Sequence, residues 1–260
     1  YIRHMIPTFE LIKFLTRLKK NKIFYEIPTY PYFFEQFSVS NNKIKTIFRL
    51  SYELIFWPLI YSKITKLVVI PCRDNIHVFK KMQLICNGCT NTPVCIEPNL
   101  VKNNKLNMIG VGTIQKYHGY DKIIKAMANY DGPLQLHFVV VGNGDIKYLE
   151  DLVNKNNLED KVEFKGLLKG KELENEYTKA NLGIGTMALE FRKANIDTGI
   201  KILEYYGMGL LVLSSGNCPK IEDLNFTPYL IMGDTIDFDY IYKWISSFDI
   251  NERKKLAYES

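Results

Sequence analysis

"LNMIGVGTIQKYHGYDKIIKAMANYDGPLQLHFVVVG", residues 106–142, is the stretch on which the fold turns. It opens on an apolar run closing at Gly110-Val111-Gly112, enters "YDKIIKAMANY" (120–130) with apolar residues at helical spacing, and returns to an apolar run ending at Gly142. Short apolar runs bounded by glycine read as strands buried on both faces, and the spacing between them reads as an amphipathic helix. Two parallel strands need such a crossover, so the stretch predicts one βαβ unit.

The same rhythm continues toward the C-terminus. Helix "DIKYLEDLVNKNN" (145–157) leads to strand "KVEFKG" (161–166), and helix "KELENEYTKA" (171–180) to strand "NLGIGTM" (181–187). A helix over 198–207, closed by Gly207 and Gly209, precedes strand "LLVLSS" (210–215). This alternation predicts an α/β fold with a parallel sheet covered on both faces. Toward the N-terminus the pattern is sparser. A helix is read in "FELIKFLTRLKK" (9–20), with strands in "KIFYEI" (22–27), "KLVVIPC" (66–72) and "QLICNG" (83–88). Between them lie an aromatic loop, "YPYFFEQF", and a helix over 42–60 that Pro58 ends or kinks.

The polar stretch "IEPNLVKNNK" (96–105) breaks the apolar pattern. The expected organisation is a partial N-terminal Rossmann-like domain over 1–98, a linker at 99–105, a C-terminal Rossmann-like domain over 106–235 and a helical segment over 236–260. The chain begins at Tyr1 and stops inside the helix-like "DINERKKLAYES", so it is read as a fragment whose N-terminal domain lacks its opening strands.

A hydrophobic content of 47% in 260 residues supplies a real core, and 13% aromatics argue against disorder. The net charge of +6 suits an anionic partner without selecting one. The best membrane-span candidate, "LIFWPLIYSKI" (54–64), carries Pro58 and falls short of the ~20 residues a bilayer needs. Five cysteines, an odd number, point to a reducing, cytoplasmic setting. Cys86-x2-Cys89 with Cys95 lacks the second close pair of a structural zinc site, so no metal is expected there.

Two glycine pairs invite a dinucleotide reading, but the third glycine is replaced by Gln115 in one and Lys147 in the other. No GK[ST] phosphate loop occurs. Asp237-Phe238-Asp239 has the letters of a metal-binding Asp-x-Asp, yet "GDTIDFDYIYKW" reads as a helix start. Lys and Arg form no stripe interleaved with aromatics, so nucleic acid is not an expected partner. In open parallel sheets the ligand sits beyond the carboxyl ends of the strands, which singles out loops 110–119, 142–145 and 187–200. Gly112, Gly142 and Gly144 in these loops let backbone approach a ligand closely.

"IGVGTIQKYHGYDKIIKAM", "HFVVVGNGD", "KVEFKGLLKGKELENEYTKANLGIG" and "GIKILEYYGMGLLVLSS" resemble, in order, the C-terminal domain motifs of GT-B glycosyltransferases. The branch they resemble is the bacterial polysaccharide enzymes of the large retaining family that includes sucrose and glycogen synthase relatives. The likeness covers about residues 106–216, and "YIRHMIPTFELI" with "FYEIPTYPYF" resembles the middle of the N-terminal domain in that branch. The resemblance implies a GT-B fold of two Rossmann-like domains and transfer of a sugar from a nucleotide diphosphate sugar to a saccharide or lipid-linked acceptor. It also implies retention of configuration and no required metal or other cofactor. The helix that opens at Lys201 is implied to meet the donor diphosphate, with Glu204 on the ribose hydroxyls.

Elementary electrostatics agrees with that placement. A helix N-terminus offers backbone donors and partial positive charge, here from Thr198, Gly199 and Ile200. Lys201 in the first turn opposes the helix dipole, a conflict that an anionic ligand removes. The ordinary alternative is an exposed Lys201–Glu204 pair at i,i+3, worth about 0.2–0.5 kcal/mol.

The chain departs from the family in the diphosphate clamp. Many members carry a glutamate eight positions before the one matched by Glu204, where this chain has Ile196. Thr113 and His118 stand where many have Arg and Lys, although "YHGYD" resembles the histidine-glycine version of the polysaccharide branch. His118 is a candidate donor to a phosphate or sugar oxygen. On the acceptor side, Arg3, Glu26, Tyr30 and Tyr32 resemble positions near the cleft, with tyrosine faces suited to sugar rings. The departures leave open a non-catalytic GT-B-like nucleotide-binding or partner subunit. The basic segment "RLKKNK" (17–22) is a candidate for peripheral docking on anionic membrane, where lipid-linked acceptors sit.

Overall fold

The computed structural model describes residues 1–18, 22–88 and 97–260. Contacts divide the chain into two units, Tyr1–Asn87 with Glu190–Thr198, and Gly88–Leu189 with Gly199–Ser260. The first unit contains β1 (Ile2–Arg3), α1 (Phe9–Arg17), β2 (Phe24–Tyr30), α2 (Phe33–Val39), α3 (Lys43–Lys63), β3 (Lys66–Pro71) and β4 (Met82–Leu84). Its strands form a parallel sheet in the order β1-β2-β3-β4. Leu15, Tyr25, Ile60, Leu67 and Val69 anchor its core.

Three local expectations in this unit are corrected. The aromatic loop is a helix: Tyr30 ends β2, Tyr32 is the N-cap of α2, and Phe33, Phe34 and Phe37 share helical spacing. Pro58 does not end α3, which runs on to Lys63. Pro58 is exposed, so water can serve the carbonyl that the missing N–H leaves behind. The helix stops where Ile64 turns extended, and the Lys81 ammonium donates to the carbonyls of Tyr61 and Ile64, each at 2.8 Å. The strand expected at 83–88 is instead Met82–Leu84.

The second unit follows the predicted alternation. It contains β5 (Lys105–Val111), α4 (Tyr120–Ala128), β6 (Gln135–Val141), α5 (Lys147–Lys155), β7 (Val162–Gly166) and α6 (Lys171–Lys179). Next come β8 (Leu182–Ile184), α7 (Ile200–Gly207), β9 (Leu211–Ser214), β10 (Tyr229–Ile231), α8 (Phe238–Ser246) and α9 (Ile250–Glu259). The sheet is parallel throughout, in the order β10-β9-β8-β5-β6-β7. Counted from its own first strand this is the doubly wound order, with strand direction of travel reversing between β5 and β8. That pair is joined over a short register only, Met108↔Leu182 and Ile109↔Gly183.

The helix expected over 198–207 begins two residues later, at Ile200, with Gly199 as its N-cap. Its end is a Schellman turn: Gly209 sits at φ 65°, its N–H donates to Tyr206 O at 2.7 Å, and Leu210 N donates to Tyr205 O at 2.8 Å. Gly209 has a second constraint, since a Cβ there would lie 2.5 Å from Pro98 Cγ. Arg253 of α9, fully buried, ties that helix to the strand starts by donating to the carbonyls of Gly209 and Asn181. Burial pulls its guanidinium pKa down to about 10.

Candidate functional site

At the switch point the β5–β8 ladder gives way to a side chain. The buried hydroxyl of Tyr205, on α7, accepts from Val111 N at 2.9 Å and donates to Ile184 O at 3.2 Å, joining the last residues of both strands. Gly183 makes room for that ring, as a Cβ there would meet it at 2.5 Å. Beyond the strand ends the two loops stay together: Met187 N donates to His118 O at 2.9 Å, and a Cβ on Gly119 would lie 2.8 Å from the Met187 backbone. The β5 and β8 loops therefore form one shelf at the carboxyl edge of the sheet.

The neighbouring β6 loop joins it backbone to backbone. Gly112 N donates to Val141 O at 3.0 Å, Ile114 N to Asn143 O at 2.6 Å, and Asp145 N to Ile114 O at 2.9 Å. Gly142 adopts φ 136°, and a Cβ there would fall 1.8 Å from Gly112 O. Gly144, at φ 116°, is excluded from a side chain by Ile114 O at 2.4 Å. These two glycines are required by loop-to-loop packing, whichever ligand the shelf takes. Gly112, at φ 144°, instead faces His118: a Cβ on it would lie 3.5 Å from Nε2.

His118 ends a 3-10 helix, Lys116–His118, and is buried. Its Nδ1 accepts from Gln115 N at 3.0 Å. A backbone amide can only donate, so the neutral ring carries its proton on Nε2, the edge turned to Gly112. The ring stacks on Tyr117 and lies 5.5 Å from Tyr120. Tyr120 in turn meets Lys201, whose Nζ is 3.4 Å from the Tyr120 hydroxyl and 5.5 Å from its ring centroid. The first-turn lysine of α7 thus reaches the end of β5 over an aromatic face, which offsets part of its conflict with the helix dipole.

Glu204, one turn along α7, accepts a hydrogen bond from Tyr177 of α6 at 2.8 Å. Tyr177 also packs edge-on against Tyr205, with centroids 5.8 Å apart. Lys201 and Glu204 are both partly buried, while Ile200 at the helix tip is half exposed and Thr113 is exposed. Thr198 groups with the first unit, where its carbonyl accepts from Asn87 Nδ2. In the second unit the fold brings Gly112, Thr113, His118, Gly199, Ile200, Lys201 and Glu204 to the carboxyl ends of β5 and β8. Tyr120, Tyr177 and Tyr205 hold these residues in place and were not singled out from sequence. A tyrosine at a core position needs a partner for its hydroxyl, and that was the available signal.

The first-unit candidates are arranged differently. Glu26 accepts from the Tyr1 hydroxyl, and Arg3 lies opposite it in the β1–β2 register. Tyr30 is partly buried, which raises its phenol pKa, and its carbonyl accepts from Cys72 N at 2.9 Å. Tyr32 donates to Glu53 Oε2 at 2.8 Å and packs against His4, with centroids 4.6 Å apart. Burial, aided by Glu53, pushes the Tyr32 phenol well above its ordinary range. Glu53 and His4 were not foreseen.

Asp237 is a helix cap, accepting from Tyr240 N at 2.9 Å, and Asp239 accepts from the Tyr130 hydroxyl at 2.8 Å. Asp237 therefore caps α8, the helix start the sequence suggests, while Asp239 ties the first turn of α8 to Tyr130. Cys86 is exposed, whereas Cys89 and Cys95 lie outside the described residues. So do Lys19, Lys20 and Asn21 of the basic segment at 17–22. Among the described residues no helix is long and apolar enough to cross a membrane.

Residues 105–235, about half the chain and including the whole shelf, match the family described as Glycosyl transferases group 1. No curated protein matches the chain. Among solved structures, sucrose-phosphate synthase from Thermosynechococcus elongatus is similar with a TM-score of 0.61 at 16% identity, covering 94% of this chain and 63% of that one. WaaG, a glycosyltransferase involved in lipopolysaccharide biosynthesis, gives a TM-score of 0.61 at 16% identity, covering 96% and 75%. HepE of Anabaena, solved in complex with UDP, gives 0.59 at 12% identity, covering 95% and 69%. The chain thus spans less than two thirds of the sucrose-phosphate synthase, and at these identities the likeness shows the GT-B-type fold.

Proposed function

The chain belongs to the Glycosyl transferases group 1 family, and from that premise we propose that it transfers a sugar from a nucleotide diphosphate sugar held on the shelf of the second unit. The observation that carries this reading is the meeting of Lys201, the α7 N-terminus and the Nε2 edge of His118 at one strand-end shelf, with Glu204 one turn away. In the transfer the anomeric C–O bond to the diphosphate breaks, a bond from an acceptor hydroxyl forms, and that hydroxyl's proton passes to the leaving diphosphate. Negative charge builds on the leaving diphosphate. Lys201 and the first-turn amides of α7 would stabilise it in place, which is the usual largest catalytic term. Glu204, oriented by Tyr177, would accept from the ribose hydroxyls.

Several finer features belong to the same proposal: retention of configuration, no metal ion, and an acceptor side that includes Glu26, Tyr30 and Tyr32. A role in bacterial surface-polysaccharide assembly, in the cytoplasm, is supported by the sequence resemblance and by WaaG, whose own role is in lipopolysaccharide biosynthesis. A thermal-shift panel of UDP, GDP and ADP sugars tests the site, since a ligand at 100 times its dissociation constant adds about 2.7 kcal/mol. One nucleotide should raise the melting point, and release of its sugar should survive EDTA. No shift with any nucleotide would overturn the donor site. Binding with no sugar release or transfer would favour a nucleotide-binding subunit without turnover, the reading suggested by Ile196 and Thr113.

A further inference from the structure

The seam between β5 and β8 has a short backbone ladder, Met108↔Leu182 and Ile109↔Gly183, and side chains close it at both ends. At the amino end the closing residue is Asn181, which is buried. Its Oδ1 accepts from Asn107 N at 3.0 Å and its Nδ2 donates to Asn99 O at 3.2 Å. At the carboxyl end the Tyr205 hydroxyl does the same work through Val111 N and Ile184 O. Buried backbone donors and acceptors need partners, and each end of the seam supplies them. The two ends differ in where the closing residue comes from. Asn181 stands at the foot of β8 itself, whereas Tyr205 belongs to α7, the helix that carries Lys201 and Glu204.

We infer that Tyr205 is a positioning residue of the donor site: its hydroxyl sets the height and rotation of α7 against the strand ends, and so where Lys201 and Glu204 stand on the shelf. Lys201 lies about one turn before Tyr205 on the same helix face, and Glu204 is set about 100° round from it. A hydroxyl held between a donor on β5 and an acceptor on β8 cannot shift along either strand without losing a bond. Ring packing alone gives no such direction, so a phenylalanine would fill the space that Gly183 leaves and lack the anchor. The same strand ends carry the shelf. Val111 precedes Gly112, and the chain after Ile184 leads to Met187, whose N–H holds His118 O. One hydroxyl therefore refers the helix and both loops to a common point. Tyr205 is fully buried, so it acts through these neighbours and touches no ligand. The inference rests on the donor-site reading of α7.

The test sets Tyr205→Phe against Asn181→Ala, one substitution at each end of the same seam. Both should lower the melting temperature by about 3 to 6 °C, because each leaves a buried backbone group without its partner. Only Tyr205→Phe should change the site. In calorimetric titration with UDP, GDP and ADP, it should weaken the diphosphate that the wild-type chain binds about tenfold and shrink that ligand's advantage over its nucleoside. Asn181→Ala should keep the wild-type affinity. Hydrogen exchange on the ligand-free chain gives a readout outside binding: the Val111 amide should exchange about tenfold faster in Tyr205→Phe and at the wild-type rate in Asn181→Ala. Wild-type affinity in Tyr205→Phe would overturn the inference and leave the donor reading standing. Equal loss of affinity in the two variants would also overturn it, since the effect would then follow stability alone. A wild-type chain that binds none of the three diphosphates would overturn the donor reading, and the inference with it.

Discussion

Two glutamates in this chain make the same bond for different ends. Glu53 on α3 and Glu204 on α7 each accept from a tyrosine hydroxyl at 2.8 Å, Tyr32 in one case and Tyr177 in the other. Glu53 is only 4% exposed, and His4 Nε2 and Arg49 Nε lie 3.8 and 3.7 Å from its oxygens. Its acceptor capacity is turned to its own neighbours. Glu204 is partly exposed at the carboxyl edge of the sheet, where one tyrosine fixes its orientation. A carboxylate has about four acceptor sites, so a single partner leaves room for a diol. The lesson is that burial and location, more than the hydrogen bond, separate a carboxylate that holds a fold from the one we propose as a ligand site.

Substitution should break the pair apart. Glu53→Ala leaves the Tyr32 hydroxyl and Arg49 without their anion and should cost about 3 kcal/mol, a fall in melting temperature of roughly 10 °C. Nucleotide affinity should not change. Glu204→Ala should do the reverse, weakening nucleotide binding about 10- to 100-fold in calorimetry while the melting temperature stays within about 2 °C. Tyr177→Phe should cost a smaller part of that affinity, about 3- to 10-fold, because the carboxylate remains but is no longer oriented.

The smallest effect concerns pH. Burial lowers the His4 pKa, against a weaker opposing pull from Glu53. As pH falls below the free-histidine value of about 6.5, the unfolded chain takes up its proton first, so the stability present above that pH is progressively lost. His4→Gln should flatten this slope. Trp57, packed on Tyr25, reports the first unit, and Trp244, packed on Phe248, reports the second. The slope should therefore appear in Trp57 fluorescence with Trp244 replaced by Phe.

The second unit was legible from β5 to β9 because those elements carry their own periodicity, whereas β10 was not foreseen and β8 is shorter than the expected 181–187. β5, α4 and β6 fall within two residues of their expected limits, and Gly209 closes α7 through a turn that only a left-handed residue makes easily. The first unit hides what matters in it. α3 presents apolar residues to solvent and buries Glu53, so a hydrophobic pattern alone assigns the wrong face. The assignment of residues 190–198 to the first unit depends on pairs distant in sequence: Arg192 to Glu35 at 2.8 Å, and the Asn195 and Ile196 amides to Cys72 O at 3.0 and 3.1 Å. No local period encodes them. At the site, Lys201 and Glu204 were visible as a pair one turn apart, but Tyr120 and Tyr177 come from other helices and emerge only once the sheet is assembled.

Calorimetric titration with nucleotides differing by one group puts the assignment of α7 most directly at risk. The wild-type chain should bind one nucleoside diphosphate more tightly than both its nucleoside and its 2′-deoxy analogue. Lys201→Ala should erase the advantage over the nucleoside, and Glu204→Ala the advantage over the deoxy form. Undiminished preferences in both variants, or no binding of any diphosphate by the wild-type chain, would contradict it.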